Sequence, residues 1–212
     1  MSKKLTYVYK GFERFWHWMQ AILIFFLAFT GFEIHGSYTF FGFKNAVSYH
    51  SFAAYMLLGL IIFAVFWHLT TGEWKQYLPT LENIKVQVEY YLLGIFRNAP
   101  HPTKKTVLSK FNPLQKLTYF ALKILLIPSV VISGLLYMFF RYPSHYEIAA
   151  INIKTLETIA IVHTAAAILL VVFIVTHLYL STTGETILSN LKAMLTGYEE
   201  LEEDDGLQDK NK

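Results

Sequence analysis

The residues of this chain best suited to chemistry in an apolar setting are histidines. Two of them, His163 and His177, share the stretch ETIAIVHTAAAILLVVFIVTHLYLSTTGE, in which 27 residues without a formal charge separate Glu157 from Glu185. An apolar run of this length reads as a membrane-spanning helix. Histidine is costly in hydrocarbon and is kept there for function. A helix advances ~1.5 Å and ~100° per residue, so a 14-residue step gives ~21 Å of depth and only ~40° of rotation. His163 and His177 therefore face nearly the same way, one towards each side of the membrane. Two sites stacked on one face of one helix is the simplest reading.

The chain has no cysteine, and the span holds no acidic partner. Iron–sulfur ligation and covalent attachment through a CxxCH motif are thereby excluded. Neutral imidazole at two depths suits the iron of b-type haem. A bis-histidine site needs a second ligand at each depth. His50 lies near the start of another apolar run, and His17 near the start of a third. With the directions argued below, depth pairs His50 with His163 near the outer side and His17 with His177 near the inner side. The same 14-residue step from His17 lands on Gly31, and from His50 on Ala64. Each helix thus offers a ligand at one level and a small residue at the other, as a flat macrocycle requires. His68 is the rival inner ligand. It shares a face with His50, but 18 residues span ~27 Å, about 6 Å deeper than the level of His177. Its other reading is an interfacial residue beside Trp67 and Trp74 in the aromatic belt. His35, His101 and His145 fall in or near loops and read as solvated. For each ligand candidate the structural alternative is a helix–helix hydrogen bond, although four histidines matched in depth across three helices argue against it as a set.

These residues must be positioned by spans. Of the 212 residues, 54% are hydrophobic and 16% charged, with a mean hydropathy of +0.38. The charged share is low for a soluble domain, and the apolar residues gather in four blocks, at about 15–34, 46–70, 114–140 and 157–181. Each is long enough to cross ~30 Å of hydrocarbon. The first block follows a basic, aromatic N-terminus without a small-residue cleavage site and reads as a retained span. Lys3, Lys4, Lys10 and Arg14 precede the first span, and Lys75, Lys85, Arg97, Lys104, Lys105 and Lys110 occupy the connection at 73–112. The other side has only Lys44, Arg141 and Lys154. The positive-inside rule then puts both termini and the long connection in the cytoplasm. Within that connection, LPTLENIKVQVEYYLLGIF has amphipathic, helical spacing suited to an interface. The expected fold is all-α, an integral membrane four-helix bundle over residues 1–198. The acidic tail at 199–212 reads as solvated and disordered. A net charge of +3 is too small and scattered for nucleic acid.

The pieces RFWHW, YHSFAAYMLLGL, KFNPLQK and the His163/His177 pair, in this order, make the chain resemble the di-haem cytochrome b subunits of nickel–iron hydrogenases and formate dehydrogenases, of the bacterial cytochrome b561 group. The resemblance covers nearly all of the chain. It implies a multi-pass protein of the bacterial inner membrane, with two haems b ligated by His17, His50, His163 and His177. It further implies quinone binding near the inner haem, at Asn112 and Gln115, and a redox partner subunit at the outer face. Asn112 can equally be the N-cap of the third span, with Pro113 at its first position, and the two roles are compatible. Arg14 and Lys123 lie near the inner level, where they could pair with haem propionates or snorkel to the interface.

The reading of function is an electron-transfer subunit of the respiratory type, linking a partner redox protein to the quinone pool. Two alternatives differ in class. One is a self-contained oxidoreductase taking electrons from a small diffusible donor such as superoxide. The other is a non-redox membrane anchor or transporter, disfavoured by the absence of intramembrane acids and broken helices.

Overall fold

The computed structural model describes residues 3–97, 99, 102–103, 106, 109–141, 153–184 and 186–202. His101, His145, Lys104, Lys105 and the tail beyond 202 lie outside the described residues. The fold is mostly helical, with four helical stretches long and apolar enough to cross a membrane. Strand β1 (Lys3–Tyr7) precedes helix α1 (Gly11–Ile34), which is followed by α2 (Phe43–Thr71). After short 3₁₀ and helical turns, including α3 (Ile84–Glu89), comes α4 (Pro113–Ala121). It continues through a π-turn at Leu122–Leu126 into α5 (Ile127–Arg141), and the three together form the third span. The fourth is α6 (Ile153–Ser181), followed by α7 (Ser189–Thr196) and β2 (Tyr198–Glu202). The π-turn has a local cause. Pro128 stands just inside α5 and cannot donate to the turn before it, so the ladder is reset there without breaking the span.

The chain divides into two compact units. The first comprises Trp16–Thr71 and Tyr119–His177 and holds most of the four spans. Its core is a layer around Ile24, Leu57 and Leu170, packed with Leu23, Leu27, Ile61, Leu122, Leu126, Ile127, Phe173 and Ile174. All four spans contribute. This layer has a register with the histidines. Ile24 is seven residues past His17, Leu57 seven past His50, and Leu170 seven past His163 and seven before His177. Seven residues are about 10 Å of helix, so an apolar layer lies midway between the two histidine levels. Large side chains on the opposite faces, such as Ile22, Phe25, Phe52, Ile62 and Val175, are more than half exposed and form the surface that a bilayer would cover.

The second unit comprises Met1–Phe15, Gly72–Thr118 and Leu178–Lys212. The expectation of a disordered tail fails at its first residues. Tyr198–Glu202 forms β2 and pairs antiparallel with β1, in the register Leu5↔Glu200 and Tyr7↔Tyr198. Gly197 makes this possible. It ends α7 with φ 89°, a left-handed conformation suited to glycine, and its carbonyl accepts from the N–H groups of Val8 and Tyr9. The amphipathic segment at 84–97 is helical, but as three short pieces rather than one helix.

The same unit contains a buried charge cluster. Lys110, 3% exposed, places its ammonium 2.8 Å from Glu13 and 3.4 Å from Glu73. Lys10 pairs with Glu73 at 2.5 Å, and its backbone N–H donates to Glu13 at 2.7 Å. The cluster ties the start of α1, the turn after α2 and the approach to α4. Burial alone would raise the Glu73 carboxyl, but the hydrogen bond from Lys10 and the charge of Lys110 outweigh it and hold the group below its ordinary value. The hydrogen bond to Glu73 likewise holds Lys10 above its own ordinary value.

Breaking a buried pair from one side leaves the other charge stranded, at a cost of about 3–5 kcal/mol. Lys110→Met is therefore expected to lower the thermal midpoint of the purified protein in detergent markedly. The double variant Lys110→Met/Glu13→Gln should recover part of the loss, which a melting curve of the three proteins checks.

Candidate cofactor sites

The four histidines chosen from the sequence meet in two pairs, all within the first unit. The rings of His50 on α2 and His163 on α6 face one another with centroids 6.3 Å apart and planes at 75°. The rings of His17 on α1 and His177 on α6 have centroids 6.2 Å apart and planes at 53°. All four rings are half-buried.

The pair at His50 and His163 is held by its surroundings. Thr30 on α1, fully buried, spends its hydroxyl proton on the carbonyl of Phe26 at 2.9 Å. Its oxygen then accepts from Nδ1 of His50, also at 2.9 Å. On the other side, Nδ1 of His163 lies 3.1 Å from both the Val130 carbonyl and the Ser133 hydroxyl. Ser133 donates to the Ser129 carbonyl, so towards His163 it too is an acceptor. In both rings the proton thus belongs on Nδ1, and the lone pair is left on Nε2, as a metal ligand requires. Two glycines admit these rings. A Cβ on Gly31 would stand 3.6 Å from Cε1 of His50, and one on Gly134 only 3.1 Å from Cε1 of His163.

The pair at His17 and His177 is built differently. His177 stacks on Phe173 one turn earlier, with ring planes 16° apart. The Nδ1 atom of His17 is buried without a protein partner among the described residues. Trp16 packs edge-on against His68, and the Lys123 ammonium lies 5.2 Å from the Trp16 ring centroid. A lysine inside a span, in the π-turn, is a functional position by default. His68 departs from the interfacial reading. It is 7% exposed, it donates from Nδ1 to the Ala64 carbonyl at 2.6 Å, and its ring sits between Trp16 and Trp67. His35 is exposed and reaches the Thr164 hydroxyl at 3.2 Å.

The remaining candidates belong to the second unit. Asn112 and Gln115 form a reciprocal cap on α4. The side chain of Asn112 accepts from the Gln115 N–H at 2.8 Å, and that of Gln115 accepts from the Asn112 N–H at 3.0 Å. The Asn112 amide also donates to the Tyr91 hydroxyl at 2.9 Å. Burial raises the Tyr91 phenol above its ordinary value, with the Asn112 hydrogen bond opposing, so the phenol keeps its proton at neutral pH. Arg14 donates to the Leu195 carbonyl.

Comparison with known proteins decides the family. The model of the prokaryotic cytochrome b561 family matches residues 8–197. The chain is also 31% identical over 202 residues to an Escherichia coli (strain K12) protein named "Putative cytochrome YdhU", covering 91% of this chain and 74% of the relative. The chain belongs to the prokaryotic cytochrome b561 family. It is accordingly a multi-pass transmembrane electron-transfer protein, and the family implies haem b. The histidine pairs of this cytochrome fit that group. Metal–imidazole bonds of about 2.0 Å on either side of one iron place the ring centroids about 6.3 Å apart, the separation found in both pairs. The close approach of Gly134 to the His163 ring, 3.1 Å from where a Cβ would stand, further fits a shaped site.

Sequence reasoning missed Thr30, Ser133, Val130 and Gly134. A hydroxyl in an apolar span, or a glycine beside it, is too common a feature to single out without the fold. Gly31 stood out only through its 14-residue offset from His17.

The two glycines give different expectations. Gly134→Ala should crowd His163 and lower the haem content or shift the haem spectrum of the cytochrome. Gly31→Ala, whose new methyl meets only ordinary contact, should leave both near wild type. Absorption spectra of the two purified variants, normalised to protein, check the difference.

Proposed function

We propose that the cytochrome holds two haems b, one between His50 and His163 and one between His17 and His177, and carries electrons across the bacterial inner membrane between a redox partner and quinone. The observation that carries this reading is the pair of matched imidazole separations, 6.3 and 6.2 Å, on helices long enough to span the bilayer. Haem b supplies a one-electron couple when bound. The chain's own residues supply the rest. Thr30, Ser133 and the Val130 carbonyl fix two of the ligand rings. The Ile24–Leu57–Leu170 layer keeps water out of the space between the two levels.

The basic connection at 73–112 supports a cytoplasmic location for the His17/His177 end. Electrons entering from a partner at the outer face would then cross by way of His50/His163 to His17/His177. Lys123 is suited to a propionate of the inner haem. Arg14 serves that role only by giving up the Leu195 carbonyl. Quinone is assigned to Asn112 with Gln115. Since the Asn112 amide bonds Tyr91, a quinone carbonyl would take a hydrogen bond from that amide or from the Tyr91 phenol.

Pyridine haemochrome analysis is expected to give two haems per chain. His163→Ala should lose the haem at one level and His17→Ala the haem at the other, each keeping some of its counterpart. One haem in the wild type, or loss caused by His68→Ala while His17→Ala retains both, would overturn the pairing.

Asn112→Ala removes one polar contact, worth on the order of 1 kcal/mol or more. Haem content should stay intact while added quinone reoxidises the reduced haems more slowly. Unchanged reoxidation would leave Asn112 as a helix cap alone.

A further inference from the structure

Four large aliphatic side chains that follow α6 lie outside the hydrophobic core. Ile187 and Leu188 stand in the turn that leads into α7 and are 70% and 63% exposed, and Leu191 and Leu195 on α7 are 40% and 58% exposed. At ~100° per residue, Leu191 and Leu195 are ~40° apart on one face of the helix. Lys192 and Thr196, both exposed, come next around the helix. The remaining positions, Ser189, Asn190, Ala193 and Met194, turn towards the protein, with Ala193 buried. α7 therefore has a packed side, a bare apolar side and a bare polar side. A bare apolar side of this kind marks contact with something other than water.

The place of α7 decides what that contact is. α6 is long and apolar enough to cross a membrane as far as Ser181, so Ser181 stands at a bilayer surface. α7 is fastened to that point. The side-chain amide of Asn190 donates to the Ser181 carbonyl at 3.1 Å, satisfying one of the carbonyls that the last turn of α6 leaves open. The link between the two helices is tight, because a Cβ on Gly184 would overlap the Ser189 hydroxyl and the Asn190 amide. A helix bonded directly to the end of a span is held at the level of the headgroups. Leu178 and Tyr179, half exposed in the last turn of α6, carry the lipid-facing surface to the same point. The polar side fits the same place, since a lysine at a bilayer surface lays its stem along apolar groups and its ammonium among phosphates.

We propose that α7 lies in the bilayer surface as an interfacial helix, with Ile187, Leu188, Leu191 and Leu195 among the acyl chains just below the phosphates and Lys192 at the phosphate level. The partner of this face is the phospholipid leaflet, and not a second copy of the chain or another protein. The immersed stretch ends at Gly197, where the chain turns into β2 with Glu200 exposed to water. The proposal is independent of what the histidines hold.

The chain has no cysteine, so a single introduced cysteine carries a spin label without any other substitution. The test uses the full-length cytochrome labelled in turn at Leu191→Cys, Leu195→Cys, Lys192→Cys and Thr196→Cys, in nanodiscs of phosphatidylethanolamine and phosphatidylglycerol. Power saturation compares collisions with oxygen, which concentrates among acyl chains, and with a water-soluble nickel chelate. The oxygen-to-nickel ratio should be several-fold higher at the two leucine positions than at Lys192 and Thr196. Equal ratios at all four, with nickel reaching the leucine positions freely, would put the face in water and overturn the proposal. Leucine positions closed to both reagents would mean that protein covers them, a second copy or a partner, and would overturn it as well. All four positions are exposed, so labelling leaves the packed side of α7 intact. Each side is read at two sites, which keeps the test open if one variant fails to fold.

Discussion

An imidazole inside a bilayer must have its polar atoms satisfied, because hydrocarbon offers them nothing. In this cytochrome the constraint is met at His50 and His163 by hydrogen bonds from Nδ1. At His50 and His163, Nδ1 goes to an oxygen on a neighbouring span, which leaves the lone pair on Nε2, and the two ring centroids are 6.3 Å apart. The rest of the fold follows from that requirement. The paired rings stand 6.2 and 6.3 Å apart, centroid to centroid, at the two levels. Glycine is needed where the third span comes close to a ring, as at Gly134 against His163. Close packing is left to the layer around Ile24, Leu57 and Leu170, midway between the levels.

The resulting arrangement has a period. Along α6 the sequence reads histidine, apolar layer, histidine at seven-residue steps, His163, Leu170 and His177. Along α1 it reads His17, Ile24 and Gly31, so a histidine is replaced by a glycine at the second level. Seven residues are close to two helical turns, which returns each position to nearly the same face. One helix therefore carries a histidine at both levels, while α1 and α2 each carry one of the paired histidines. The third span carries no histidine, but Val130, Ser133 and Gly134 lie against the ring of His163.

Much of this was legible in the sequence because hydropathy and helix geometry are strong, local signals. The four spans, and the pairing of His50 with His163 and of His17 with His177, needed only charge-free length and a rise per residue. The supporting shell was not legible. Thr30 and Ser133 differ from other span hydroxyls only in which ring they reach, and that depends on how two helices face each other. The buried state of His68 was missed for a similar reason, since its Trp16 neighbour lies on a different helix. The strand at Tyr198–Glu202 was hidden by composition. Three glutamates in five residues suggest a solvated tail, and only the pairing with Lys3–Tyr7 makes them a strand. The Lys110 cluster joins residues almost a hundred positions apart, beyond the reach of any local pattern.

The claim on which the account depends is that each imidazole pair grips one haem. An experimental density map of the purified cytochrome, at a resolution that shows side chains, tests it most directly. The account predicts two flat macrocycle densities, one pinned between His50 and His163 and one between His17 and His177, with Ser133 and Thr30 against the Nδ1 atoms of the first pair. A single macrocycle, or one bridging His68 to His177 while His17 turns away, would contradict it.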